Sequence, residues 1–288
     1  MPVERRVPVS SKATARNARI VMFLLLTVLT LGFLFPIYWA VTMSFKEKAD
    51  ILVTVPHYFP QRFTLTNYLE IIKKSSYGVF AWNSIKLAVV TTALCVFVAS
   101  MAGFALTRFT FRGRKAISSG IFVIRMIPAL VYTVPLYLLY NTAGLLDNHF
   151  GLMLAYCTCS LPISIWLFLS FYEEVPREIY ESGVIDGCSE YRLFRSIALP
   201  LVVPSISVVA ILCFIGSWNE FGLALTLTFK DAYKTLPIAI NTMIQRERDT
   251  PFGSLAAAGT LAMVPAIILS LTTQKYIVKG FTAGAVKG

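Results

Sequence analysis

Two short stretches hold the side chains best placed to do something other than fill a bilayer. One runs Glu181-Ser182-Gly183, three residues, Gly187, nine residues, then Ile197-Ala198-Leu199-Pro200. The other is Trp218-Asn219-Glu220-Phe221, which sets a carboxylate inside an apolar run. Neither is arranged to make or break bonds. The sequence has no Gly-x-x-x-x-Gly-Lys-[Ser/Thr], and the dipeptide Gly-Lys is missing altogether, so the chain does not cradle nucleotide phosphates by that route. It has no His-Glu-x-x-His or Gly-x-Ser-x-Gly, and its histidines are His57 and His149 alone, so catalysis on this polypeptide is not expected. The chemistry on offer is contact. A polar elbow can reach from a membrane to something soluble, and an ionisable group at membrane depth is costly enough to mark a functional site by default.

The elements that carry these residues are membrane spans. Hydrophobic residues make up 56% of the 288-residue chain and charged residues 14%, with a mean hydropathy of +0.68. A soluble fold of that composition would lack the polar surface to cover itself. A span needs about 20 mostly apolar residues. Six segments qualify: 20–44, 87–107, 116–140, 150–172, 201–228 and 255–274. The charged residues within them are Arg125 in the third and Glu220 in the fifth. The basic leader before the first span looks like a signal sequence, but the apolar run is too long and lacks a clear small-x-small site, so we expect an uncleaved anchor. The fold class expected is an all-α membrane protein of six transmembrane helices with a cytoplasmic helix-bend-helix loop. Residues 1–19 would form an N-terminal tail, 20–278 the six-helix domain with the loop at 173–200, and 279–288 a C-terminal tail.

Net charge is +11, yet the basic residues gather beside the spans and no soluble domain presents a groove, so a lipid bilayer rather than nucleic acid is the expected partner. The short loop 108–115 holds Arg108, Arg112, Arg114 and Lys115, whereas 141–149 holds no Lys or Arg. The positive-inside tendency therefore puts the former, both termini and the Glu181 loop in the cytoplasm. Within that loop Pro176 suits a helix start, Glu178 sits near its positive end, Gly187 stops it, and Ser189 caps a second helix broken near Pro200. Of the cysteines, Cys95, Cys157, Cys159 and Cys213 fall in spans and Cys188 in the loop, with neither disulfide nor zinc spacing, which favours buried structural thiols.

The Glu181–Pro200 spacing resembles the cytoplasmic loop of the membrane subunits of bacterial binding-protein-dependent ABC importers, Glu-Ala-Ala, three residues, Gly, nine residues, Ile-x-Leu-Pro. Ser182 and Gly183 replace its two alanines. A similar Trp-Asn-Glu-Phe occurs after that loop in maltose-type importer subunits. The stretch from Gln274 to Gly280, followed by Gly284-Ala285-Val286-Lys287-Gly288, looks like the closing sequence of the same subunits. The resemblance covers nearly the whole chain and implies a permease subunit of a carbohydrate importer in the bacterial cytoplasmic membrane. It also implies a second permease, two ATPase subunits holding ATP and Mg, and an extracytoplasmic solute-binding protein, with no cofactor on this chain. Carried over residue by residue, ATPase coupling falls on Glu181, Ser182, Gly183, Asp186 and Gly187, with Glu178, Ile179, Tyr180 and Arg192 flanking. Ala285, Val286, Lys287 and Gly288 would contact the ATPases. Gly183 in place of alanine either softens the first loop helix or lets the ATPase come closer.

Arg125, Tyr132, Trp218, Asn219 and Glu220 are candidates for either a translocation path or a helix-bonding network. Pro128 and Pro135 loosen the helix around Arg125, and kinked spans can line cavities. Lys86, at the outer end of the second span, is a depth-compatible partner for Glu220, while Arg125 sits closer to the middle. Two rivals stand beside this reading. An ABC permease for a non-sugar solute, such as glycerol phosphate or peptide, would keep the same loop. A secondary transporter would need a pair of interrupted helices in matching halves, which the sequence does not suggest.

Overall fold

In the computed structural model residues 12–73, 76–246 and 251–285 are described. They are helical with no strand among them. The chain divides into two compact units, Met1–Glu70 with Pro251–Thr260, and Ile71–Thr250 with Leu261–Gly288.

The first unit begins with α1, Lys12–Ser44, apolar on every face and exposed over most of its length, with Phe23 at 70%. Such a helix is stable only against lipid or another chain. Beyond it lie α2, Lys48–Ile51, and the start of α3, Thr66–Lys73. Lys46 is buried here, its ammonium bonded to the His57 carbonyl and lying 4.6 Å from the Trp39 ring centre. Asp50, also buried, accepts the Gln61 amide at 3.0 Å and lies 2.5 Å from His57 Nδ1. The Gln61 hydrogen bond, opposed by burial and helped by His57, holds the Asp50 carboxyl below the usual carboxylate range. The Asn67 amide donates to the carbonyls of Ser44 and Lys46, which fixes the exit of α1.

The second unit is built on α4, Ser76–Arg108, which packs along α7, His149–Glu173, and against α11, Val203–Trp218. Gly103 makes the close crossing possible: a Cβ there would lie 2.7 Å from that of Phe168. Cys95, Cys157 and Cys213 are buried in this core with Ala99, Phe168 and Val209, while Cys159 and Cys188 are half-buried.

Among the described residues four helices are individually long and apolar enough to cross a membrane: Arg16–Ser44, Ser76–Arg108, His149–Glu173 and Phe252–Thr273. The third expected span is split into α5, Arg114–Arg125, and α6, Ala129–Thr142, with the break at 126–128. Pro128 supplies no amide there and biases Ile127 away from helix. Pro135, by contrast, is accommodated inside α6. The loop between α7 and α11 holds α8, Arg177–Ile185, then α9, Glu190–Leu193, a π-turn at Phe194–Ala198, and α10, Leu199–Leu201. The direction changes by 79° between Glu190–Leu201 and α11, where Pro200 and Pro204 flank Val202. The fifth expected span is also interrupted: α11 stops at Trp218 and α12, Gly222–Leu227, follows. Two of the expected spans are thus broken, the third and the fifth, which are not matching positions of two three-span halves. After α12 come α13, Leu236–Arg246, and α14, Phe252–Ala285.

Candidate functional site

The loop from Arg177 to Leu193 is a helix, a tight turn and a helix. Pro176 is the N-cap of α8, and Glu178 is the acid in its first turn. Gly187 takes φ +77°, the left-handed region that glycine enters freely, and its amide bonds back to the Val184 carbonyl. The Ser189 hydroxyl then accepts the Arg192 amide at 3.4 Å and caps α9.

This turn sorts the loop residues into two sets. Glu178, Ile179, Glu181, Ser182, Asp186, Gly187 and Arg192 are exposed. Tyr180 and Gly183 point the other way and are buried. The Tyr180 ring meets Phe104 of α4 edge-on at 6.2 Å. A Cβ on Gly183 would lie 2.7 Å from Ile197 Cδ1, so glycine lets α8 close onto the π-turn within this chain. A closer approach from outside is therefore not what Gly183 provides, because its face is covered. Arg108, at the end of α4, grips Glu190 with two bonds, Nε to Oε2 at 3.1 Å and Nη2 to Oε1 at 3.0 Å. That strut spans 82 positions and carries no local sequence signal, so reading the loop alone missed it.

The second polar stretch folds inward. Glu220 Oε1 accepts the Leu223 amide at 2.7 Å and Oε2 the Ala224 amide at 3.0 Å, so the carboxylate caps α12 across the break in the span. Lys86 is not its partner: that ammonium lies 3.2 Å from His149 Nδ1. The reason is local, since Glu220 finds amides three and four residues ahead and needs no distant cation. Trp218 is 4% exposed, stacks on Phe214 at 6.1 Å and donates to the Ala262 carbonyl at 3.1 Å. Asn219 is exposed and borders a separate hollow of about 360 Å³ with Pro237 and Asn241. Arg125 donates to the Cys159 carbonyl at 3.2 Å, and the Tyr132 hydroxyl lies 3.1 Å from Cys159 Sγ.

Arg125 and Glu220 meet on a cavity of about 180 Å³, together with Tyr156, Ser160 and Ser217. Cation, carboxylate and hydroxyls on one small cavity suit the hydrogen-bonding of a polar solute as well as the joining of α7 and α11. Tyr156 and Ser217 belong to this group only in three dimensions, and nothing in their sequence surroundings sets them apart. Of the tail candidates, Ala285 ends α14, and Val286, Lys287 and Gly288 lie outside the described residues.

Known proteins share both the sequence and this architecture. The sulfoquinovosyl glycerol transport system permease protein of Agrobacterium fabrum is 32% identical over 266 residues, 92% of this chain and 93% of that one. The trehalose/maltose transport system permease protein of Thermococcus litoralis is 32% identical over 257 residues, 88% of this chain and 92% of that one. Among solved structures, a chain of a bacterial ABC transporter that imports the acidic polysaccharide alginate superposes with a TM-score of 0.80 at 22% identity, over 94% of this chain and 99% of that one. Residues 95–283, from mid-α4 to the end of α14, match the family described as binding-protein-dependent transport system inner membrane component. With the loop spacing, the helical spans and these alignments in agreement, the chain belongs to that family.

Proposed function

We propose that this chain is one of two membrane subunits of a bacterial ATP-driven sugar importer, forming half of the translocation pore. Relatives aligned over nine-tenths of the chain serve sugars and sugar derivatives, and the chain has no phosphate-binding loop of its own. Energy therefore comes from partner ATPase subunits holding ATP and Mg, and solute comes from an extracytoplasmic binding protein. Six crossings account for the helices: α1, α4, α5 with α6, α7, α11 with α12, and α14. Both termini and α8 to α10 then face the cytoplasm of a bacterial inner membrane.

The observation that carries this reading is the two-sidedness of α8 and α9. Glu178, Ile179, Glu181, Ser182, Asp186, Gly187 and Arg192 form an outer face free to enter a cleft in an ATPase subunit. Tyr180, Gly183 and Leu193 hold the inner face against the bundle. A short rigid helix gripped on one side and offered on the other moves as a lever: displacement of the ATPase shifts α4, α7 and α11 with it. Arg125 ends α5, Tyr132 lies on α6 and Glu220 sits between α11 and α12, and the breaks beside Arg125 and Glu220 give the path its polar lining. Residues 285–288 would lie against the ATPases.

A single cysteine at Ser182, in a Cys188→Ser background, tests the assignment. In the assembled transporter it should cross-link to an ATPase subunit and react with impermeant thiol reagents only from the cytoplasmic side. Labelling from outside, or an intact complex with no such cross-link, would remove the assignment.

A further inference from the structure

Between the inner end of α4 and the underside of α8 lies a hollow of about 380 Å³ that the coupling reading does not use. Its floor is aromatic. Phe104 meets Tyr172 edge-on at 5.7 Å and Tyr180 at 6.2 Å. Both tyrosines are buried, and neither hydroxyl has a hydrogen-bond partner among the described residues. Burial pushes the Tyr180 hydroxyl up, so it stays protonated and remains a donor in want of an acceptor. Two orphaned phenols side by side are uncommon, since buried polar groups are nearly always satisfied.

The rim of the hollow is cationic. Arg108, Arg114 and Arg177 line it from three different elements. Arg108 commits Nε and Nη2 to Glu190, leaving Nη1 uncommitted. Arg114 lies 3.8 Å from Glu173, an ion pair too long for a hydrogen bond. Arg177 makes no ion pair among the described residues. Glu173 and Glu181 also line the hollow. Glu173 is more than half exposed beside Arg114, and Glu181 is exposed. Spare guanidinium donors from three elements around one space match a tetrahedral oxyanion, whose oxygens accept from several sides at once.

We propose that this hollow binds a phosphate group and that its occupant braces α8 against α4 and α7. The proposal rests on the cytoplasmic orientation of α8, which puts the hollow where spans α4 and α5 meet the inner leaflet. Basic pockets between spans at that level take anionic headgroups. Phosphatidylglycerol is thus the expected source, with soluble phosphate compounds as the other supply of the same chemistry. A bound headgroup would stiffen the lever and make its motion depend on the membrane's anionic lipid.

The test uses the whole transporter, its partner subunits included, in nanodiscs of phosphatidylcholine with or without phosphatidylglycerol. Native mass spectrometry should find one phosphatidylglycerol retained per copy of this chain. Retention should weaken about fivefold for each of Arg114→Gln and Arg177→Gln. Binding-protein-stimulated ATPase activity should rise with phosphatidylglycerol in the wild type and lose that rise in the double arginine variant. If inorganic phosphate in neutral discs reproduces the rise, the site is real and its source soluble. If neither phosphatidylglycerol nor phosphate is held, or the double variant retains lipid and responds as the wild type does, the proposal is overturned. The permease reading fails separately: in that case no stimulated ATPase activity appears in either lipid.

Discussion

The two polar stretches of this chain treat their acids in opposite ways. Around Gly187 the carboxylates of Glu178, Glu181 and Asp186 stand in solvent while an aromatic ring and a glycine are turned inward. Around Trp218 the order reverses: Glu220 is spent on two amides of its own chain, Trp218 is buried, and Asn219 is exposed. An acid with no internal partner is available to another protein, whereas an acid that caps a helix holds its own fold together. Identical chemistry therefore means contact in one place and support in the other.

The largest effect should come from the turn. Gly187→Val places a β-branched side chain at φ +77°, and solute-stimulated ATPase activity of the assembled transporter should fall to its unstimulated rate while membrane insertion is unchanged. Gly187→Asn, which tolerates the left-handed region, should keep much of the stimulation; equal loss in both variants would shift the role from backbone to surface.

Next comes the contrast between acids. Glu220→Ala removes two charge-assisted bonds and should lower the stability of the purified complex by about 1.5–3 kcal/mol. Glu181→Ala should change stability by less than about 0.5 kcal/mol yet reduce coupling. Thermal unfolding beside ATPase assays reads both, and a reversal would break the comparison.

Asp50 extends it to the first unit, as a buried acid used internally. Its folded carboxyl is held below the ordinary value of about 3.9, so its stabilisation is present above that value and disappears as pH falls through the folded one. Hydrogen-exchange protection over residues 45–66, taken relative to the intrinsic amide rate at each pH, should fall from pH 5 to pH 3, and Asp50→Asn should flatten that response.

The Arg108–Glu190 strut, with side chains 26% and 46% exposed, should contribute no more than about 1 kcal/mol in a double-mutant cycle. Smallest of all, Gly183→Ala gains up to about 1 kcal/mol of helix propensity against the displacement of one Ile197 methyl. The net change should be near zero and coupling preserved, and a severe loss of folding would mean that the α8 packing is tighter than its geometry indicates.

Much of the fold is legible without coordinates because its causes are local. Apolar length marks the spans, Gly187 marks a turn only glycine enters easily, Ser189 marks a cap, and Pro128 marks the break in the third span. The interruption at Asn219 to Phe221 is harder to see, because long apolar runs flank it on both sides and neither proline nor a turn pair marks the break. Depth alone makes Lys86 compatible with Glu220, but depth takes no account of the amides three and four residues beyond the carboxylate.

Sequence alone therefore determined composition, the apolar segments, the loop spacing and the family to which they lead, since each depends on residue type and short-range order. Tertiary structure decided which loop residues face outward, which acid is spent internally, and which distant side chains meet: Arg108 with Glu190, and Arg125 with Glu220 on one cavity. Those outcomes turn on how helices far apart in the chain rotate to pack, and rotation is set by close-packed contacts such as Gly103 against Phe168 that no local pattern encodes.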